Sequence, residues 1–470
     1  MGKDDDKKAL TARGVPTWVV LGLICATGLI VAHSGVGGGA APAGGANHDA
    51  LAADVAAAAG EATSAWVAPE ASERAEAVVR APERLPEAAL SVKQAGKQHE
   101  AALSVKQAGK QAGKQPRVPD ADAARLDAPV LRTQLRPMWG LQHIPTNDVV
   151  MALGFGYSRQ EFARFISTLR GTGYDGDIAL AAGPEKKMKA GVAAYLKGER
   201  VLAYGFEYSC VKGGRRLQMT PSGCVLTNWY AGGDSRGPRP LALSRYEMYR
   251  SWLLEYDSSS WGLIFDFRDT FFQLDPFKMV DRSSNKPNLH LFAENRKVKR
   301  VGNCVFNGGW LQCWGKDVPK TYANNSVVCS GSTMGTVDSL LAYSSRMIAE
   351  FDKMQCHATP ARTESDQGYH NYLYDTGVFA ALKGVRVVHH EQGEGLVNTI
   401  GAMNGYRVPA NMKGPLDTHW KIRDASGYIL EYDGSKSAVV HQWDRFFDEL
   451  FRFVDRLVKE YEDGKASKLL

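Results

Sequence analysis

The chain has no Cys-x-x-Cys pair and no basic patch interleaved with aromatics. The first absence argues against a thiolate zinc site. The second makes nucleic acid a poor partner, and a net charge of +6 over 470 residues adds little to its case. Aromatic residues are nearly missing from residues 1–136, where Trp18 and Trp66 stand alone in sequence rich in Ala, Gly, Lys, Gln and Glu. Without them that stretch cannot build a packed core, so the folded part follows it, with about 340 residues and room for a sizeable interior.

What the first part does have is one apolar run. Residues 15–32 are 18 uncharged residues, long enough to span a thin bilayer. Lys3, Lys7, Lys8 and Arg13 precede the run, and no Lys or Arg follows until Arg74. This asymmetry predicts a cytosolic tail over 1–14, a signal anchor over 15–32 and the remainder across the membrane. A cleaved signal peptide is the alternative. Residues 33–136 then read as a disordered, low-complexity stem. They include Glu-Ala-Ala-Leu-Ser-Val-Lys-Gln-Ala-Gly-Lys-Gln twice, at 87–98 and 100–111. Two polar copies are too few to stack into a solenoid. The folded domain is expected over 137–460, with a short tail over 461–470.

Six of the seven cysteines lie beyond the apolar run, an even number that suits an oxidising compartment. Six cysteines allow about 15 pairings, and the short loops favour Cys210–Cys224 and Cys304–Cys313, leaving Cys329 with Cys356. Asn324-Asn-Ser326 is the one glycosylation acceptor and suits a lumenal surface loop.

The folded part alternates strand and helix patterns. Residues 149–154 are a short apolar strand ending at Gly154 and Gly156. Phe162, Phe165, Ile166 and Leu169 recur at helical spacing. Strands at 177–182 and 200–204, a helix over 245–255 and a further strand to Asp266 complete a β-α-β-β-α-β order. The class is α/β, a mostly parallel sheet between helices. Trp443, Phe446, Phe447, Leu450, Phe451, Val454 and Leu457 form a late apolar stripe expected to pack on the sheet.

Four segments carry polar chemistry. In Trp261-Gly-Leu-Ile-Phe-Asp266-Phe-Arg268-Asp269, continuing to Gln273 and Asp275-Pro-Phe277, a buried strand breaks into carboxylates. Open α/β sheets bind ligands at that edge, and paired carboxylates suit a hard divalent cation with the phosphates it bridges. Cys329-Ser330-Gly331-Ser-Thr-Met-Gly-Thr336 reads as a small-residue loop leading into a helix from Val337. Asp366-Gln367-Gly-Tyr-His370-Asn371 opens a helix, where Ser365 or Asp366 is also a natural cap. His441 follows Val439-Val440, and a neutral imidazole there is either a ligand for Mn²⁺ or simply hydrogen-bonded. His389-His390-Glu391 fits no common metal spacing and reads as a strand end. Asn228-Trp229-Tyr230, ahead of Arg245-Tyr-Glu-Met-Tyr-Arg250, is of a kind that faces a sugar or a base, or else fills the core.

In this order the segments resemble nucleotide-diphospho-sugar transferases of the GT-A fold, type II membrane glycosyltransferases included. The likeness is greatest to plant and algal members carrying Asp-x-Arg-Asp-x-x-Phe-Gln-x-Asp-Pro-Phe and Asp-Gln-x-x-His-Asn. It covers 155–182, 261–277, 328–336, 366–373 and 439–445. The resemblance implies transfer of a hexose from a nucleotide sugar to a glycan or glycoprotein acceptor, in the Golgi or endoplasmic reticulum with the domain lumenal. It implies Mn²⁺ or Mg²⁺ on Asp266, Asp269 and His441, and donor contacts from Gly154, Tyr157, Asp266, Arg268 and Asp269. Ser330, Gly331, His370 and Asn371 would meet acceptor or sugar, and Asp366 and Gln367 the reacting carbon. One departure is plain: Arg268 stands where the family's usual Asp-x-Asp has its second acid. Either Arg268 holds the diphosphate itself or it pairs internally with Asp269. A catalytically inactive carbohydrate-binding protein of the same fold and a metal-dependent phosphohydrolase are the rival readings.

Overall fold

The computed structural model of the chain describes residues 136–210, 224–226, 241–283, 288–353, 365–404 and 408–467. The expected anchor, the stem with its repeat, Cys356 and the Asn228-Trp229-Tyr230 cluster lie outside these residues. Among the described residues no helix is long and apolar enough to cross a membrane.

Twelve strands and eight α-helices are described. The strands are β1 (Val149–Leu153), β2 (Asp177–Ala181), β3 (Leu202–Tyr204), β4 (Tyr208–Cys210), β5 (Cys224–Leu226), β6 (Trp261–Asp266), β7 (Thr270–Phe272), β8 (Asn288–Ala293), β9 (Val328–Thr336), β10 (Arg386–His390), β11 (Val397–Thr399) and β12 (Val439–His441). The helices are α1 (Arg159–Gly171), α2 (Val192–Gly198), α3 (Leu241–Leu253), α4 (Val305–Leu311), α5 (Val318–Thr321), α6 (Val337–Lys353), α7 (Asp366–Asp375) and α8 (Phe447–Ser467).

Seven strands form the main sheet in the order β10-β8-β9-β6-β1-β2-β3. Only β9 runs antiparallel to its neighbours, β6 and β8. In β1, Val149 and Met151 enter the core on one face while Val150 and Ala152 enter the core on the other. Both faces are covered, which is why these strands read as continuous apolar runs rather than alternating ones. From β1 the chain winds outward through β2 and β3, then returns to lay β6 on the other side of β1. The carboxyl ends of β1 and β6 therefore flank a topological switch point, where loops diverge and leave a crevice.

A second sheet, β11-β12-β7, branches off at that edge. The chain leaves β6 at Asp266, turns through 267–269 and enters β7, whose Thr270 lies opposite His441 of β12. Gln273 fastens this sheet to the 429–437 segment: its amide donates to the carbonyls of Ile429 and Ser437 and accepts from the Ile429 N–H at 2.8–2.9 Å. Asp275 caps the next turn by accepting from the Phe277 N–H. The tail of the acidic motif is thus structural.

Helix α1 starts at a capping box, Ser158 and Glu161 each accepting from the other's backbone N–H. Trp443, Phe446, Leu450, Val454 and Leu457 of the late apolar stripe pack with Phe453 against Phe271 and Val440 of the small sheet, whereas Phe447 of the stripe is exposed. The same helix meets α1 through Arg164 and Asp455 at 2.8 Å.

Three expectations need correction. Helix α2 intervenes between β2 and β3, so the opening order is β-α-β-α-β. Residues 328–336 form a strand rather than a loop, fully buried except at Thr336. Its small residues answer a close approach, since a side chain at Gly335 would collide with the Asn288 carbonyl. The pairs Cys304–Cys313 and Cys329–Cys356 do not form: Cys304 and Cys329 are free and buried, while Cys313 is disulfide-bonded. Cys304 belongs to a satellite core with Val301, Leu311 and Val327, whereas Cys313 packs on the main core, so a short loop did not bring them together. Cys210 and Cys224 do stand opposite each other in the β4–β5 backbone register.

Burial pushes the Glu431 carboxyl up to about 7. An unfolded glutamate titrates near ~4, so the native state holds the extra proton between those values and loses stability as pH rises through that window. Glu431→Gln should therefore gain on the wild type by up to about 3 kcal/mol between pH ~4 and ~7 and level off above. Chemical denaturation across pH measures this, and a constant difference between the two proteins would refute the buried, protonated carboxyl.

Candidate functional site

Four elements deliver polar groups to the crevice edge. Strand β6 ends in Asp266, whose side chain is 34% exposed. The following turn supplies Asp269, β12 supplies His441, and the start of α7 supplies Asp366. One ligand atom from each of Asp266, Asp269 and His441 lies within 4.8 Å of the other two. Strand β9 passes alongside, and Ser332 pairs with Phe265, which sets Gly331 beside Asp266. A Cβ on Gly331 would intrude on Asp266 Oδ2 and stand 3.1 Å from His441 Cε1. The missing side chain keeps the space between acid and imidazole open.

Helix α3 contributes the residue that ties the site together. Arg245 is 9% exposed, and its guanidinium forks between Asp266 Oδ1 and Asp366 Oδ2. Tyr246 adds its hydroxyl to Asp366 Oδ2 at 3.3 Å. On the other side Arg445 holds Asp269 at 2.8 Å and Asp444 at 2.9 Å, and Arg268 holds Asp444 at 2.7 Å. Four carboxylates thus face three guanidiniums across the cluster.

His441 is fully buried, with Nε2 3.6 Å from Asp269 Oδ1 and without a hydrogen bond. Burial opposes charge on its ring, but the Cys329 sulfur and the Asp269 carboxylate raise its pKa well above the usual value. Asp269 responds in the opposite sense. Burial disfavours its charge, yet His441 and Arg445 hold its carboxyl well below the usual range. Burial and then the neighbouring Asp269 push Asp444 up.

The residues at this edge fit a divalent cation. Two carboxylates and an imidazole converge, the imidazole carries a buried nitrogen lacking a hydrogen bond, and Gly331 leaves room. Asp266, Asp269 and His441 would be the ligands, at the price of loosening Arg245 or Arg445 from the same acids.

The other expected site residues are placed as follows. Gln367 spends its amide on β9, accepting from the Ser330 N–H at 2.7 Å and hydroxyl at 2.8 Å and donating to the Val328 carbonyl at 2.8 Å. Asn371 repeats the bracket one turn on, bonding both the N–H and the carbonyl of Val328. His370 is fully buried against the Tyr343 hydroxyl at 2.7 Å, and burial pushes its imidazole down to about 3. His370 and Asn371 therefore sit beneath the site rather than on its polar surface. Gly154 packs on Phe162 and Phe267. Tyr157 stacks on Phe267 at 5.3 Å, half-buried at the edge of the crevice. Ser365 precedes α7 without a side-chain capping bond, and Asp366 is engaged by Arg245, so capping does not account for this carboxylate. Arg268 pairs with Asp444 rather than with Asp269. His389 and His390 lie on β10, with His390 bonded to His290 at 2.9 Å, away from the acids.

No protein-family model matches the chain, and no curated protein matches it. Among solved structures it is similar to a galactosyltransferase, LgtC, in complex with donor and acceptor sugar analogues: 12% identity over 66% of this chain and 95% of that one, TM-score 0.32. An active-site mutant of LgtC matches at 12% identity over 62% of this chain and 86% of that one, TM-score 0.29. A mycobacterial protein matches at 9% identity over 60% and 72%, TM-score 0.26. These likenesses are remote, and the site stands on the chain's own strand order and side chains.

Proposed function

We propose that the chain is a glycosyltransferase that moves a hexose from a nucleotide sugar to a glycan or glycoprotein acceptor. The observation that carries this reading is the convergence of Asp266, Asp269 and His441 at the switch-point edge, with Asp366 linked to Asp266 through Arg245. The motif order of the sequence points the same way. Bound Mn²⁺ or Mg²⁺ supplies neutralisation of the charge that builds on a departing diphosphate. Tyr157 offers a half-buried aromatic at the crevice edge, suited to a nucleotide base. Asp366, at the start of α7, is the carboxylate for the reacting sugar, and Arg245 fixes its direction. Residues 15–32 anchor the chain as a single-pass type II protein of the Golgi or endoplasmic reticulum, with 137–460 lumenal. The exposed Asn324 then lies in the compartment where its acceptor sequence is used.

A second reading, a carbohydrate-binding protein that has lost turnover, is favoured by one observation: Arg268, at the usual second acid position, is committed to Asp444.

Nucleotide release from a panel of nucleotide sugars, using the full chain in detergent with and without Mn²⁺, separates the two. Turnover with at least one donor is expected, and Asp266→Ala should lower it by about 100-fold or more. Silence with every donor alongside glycan binding would favour the second reading, and free phosphate without glycoside would favour a phosphohydrolase. Gly331→Ala should weaken Mn²⁺ binding about 10- to 100-fold while the protein stays folded, because the new methyl enters the space between Asp266 and His441. Calorimetric titration with Mn²⁺ reads this directly, and wild-type affinity in the variant would remove the cation from this edge.

A further inference from the structure

We propose that Cys329 is a positioning residue: its sulfur accepts a hydrogen bond from the Nδ1–H of His441 and so turns Nε2 toward Asp266 and Asp269. The inference rests on the cation reading above and adds a residue to it. A histidine that binds a metal through one ring nitrogen needs a partner for the N–H on the other, which fixes tautomer and ring angle. That partner is usually a carboxylate, a backbone carbonyl or water.

Here it is a thiol. Cys329 Sγ lies 3.7 Å from His441 Nδ1, and both residues are essentially buried. On the opposite side of the ring Nε2 makes no hydrogen bond and lies 3.6 Å from Asp269 Oδ1. Two further features hold the arrangement. Gln442 adopts φ +61°, a left-handed conformation unusual for a residue with a side chain, and from there its Nε2 also donates to Sγ at 3.7 Å. The Phe265 ring lies against the imidazole at 6.2 Å between centroids, tilted by 49°. Sulfur is a weak acceptor, so two N–H donors aimed at one buried Sγ make a defined contact rather than an incidental one. Cys329 stands on β9 two residues before Gly331, so one strand both orients the imidazole and clears the space in front of it.

The test uses the full chain with ¹⁵N-labelled histidine, as wild type, Cys329→Ser and Cys329→Ala. In the metal-free protein the Nδ1–H of His441 should give a slowly exchanging signal that Ala loses and Ser keeps. Mn²⁺ affinity, followed by the free-ion electron paramagnetic resonance signal, should fall about 10- to 100-fold in Ala and only a few-fold in Ser. Thermal unfolding of the metal-free forms reports any loss of packing separately. The Co²⁺-loaded wild type should show no sulfur-to-metal charge-transfer band, because Sγ stays on the Nδ1 side, and this reading needs no variant. Such a band would overturn the proposal by making Cys329 a ligand. So would a Nδ1–H signal and an Mn²⁺ affinity that Ala leaves unchanged. If the wild type binds no Mn²⁺ while the signal depends on Cys329 as expected, the cation reading fails and the positioning role stands.

Discussion

The candidate site depends on one buried guanidinium. Arg245 joins Asp266, at the end of a sheet strand, to Asp366, at the start of a helix 100 residues later in the chain. Burying Arg245 with Asp366 takes two charges out of water while Asp266 stays a third exposed, and hydrophobic packing of the same volume is often at least as stable. Removing Arg245 is costly, about 3–5 kcal/mol, because Asp366 stays buried without its guanidinium. A cluster of this kind is weak evidence for stability and better evidence for geometry. It fixes where two carboxylates point before any ligand arrives, which is the preorganisation a reacting centre requires.

The second half of the cluster follows the same logic with a different balance. Arg445 and Arg268 share Asp269 and Asp444, and the whole cluster keeps one carboxylate more than its guanidiniums can match. The remaining positive charge falls to His441, whose raised pKa follows from its place between Cys329 and Asp269. A cation held by these residues would take over that charge in place of the proton, so the same electrostatics that favour the imidazolium would favour the ion.

Much of this was legible in the sequence, for identifiable reasons. The run before Asp266 is apolar because β6 is buried on both faces, and it stops where the strand leaves the sheet. Asp366 at a helix start and His441 at a strand end were legible from similar breaks in pattern. Arg245 was visible only as part of a polar-aromatic helix, because its partners lie 21 and 121 residues away and nothing local marks them. Helix α2 was missed because seven residues with only Val192, Tyr195 and Leu196 buried give too short a period to detect. Strand β9 read as a loop because its Gly and Ser residues serve close packing against β6 and β8, and that constraint leaves no alternation to find.

The arginine in the acidic motif is explained by the same local geometry. In an extended strand, residues 266 and 268 would share a face, and an acid at 268 would stand beside Asp266. Strand β6 instead ends at Asp266, and the turn over 267–269 breaks the alternation before β7 begins. Phe267 turns into the core against Phe162 and Phe165. Arg268 swings out to Asp444, and Asp269 arrives next to His441 because Thr270 is already in register with it. The spacing of three therefore brings Asp266 and Asp269 together as a spacing of two would on a straight strand. Arg268 holds Asp444, which Arg445 also holds, and Arg445 in turn holds Asp269.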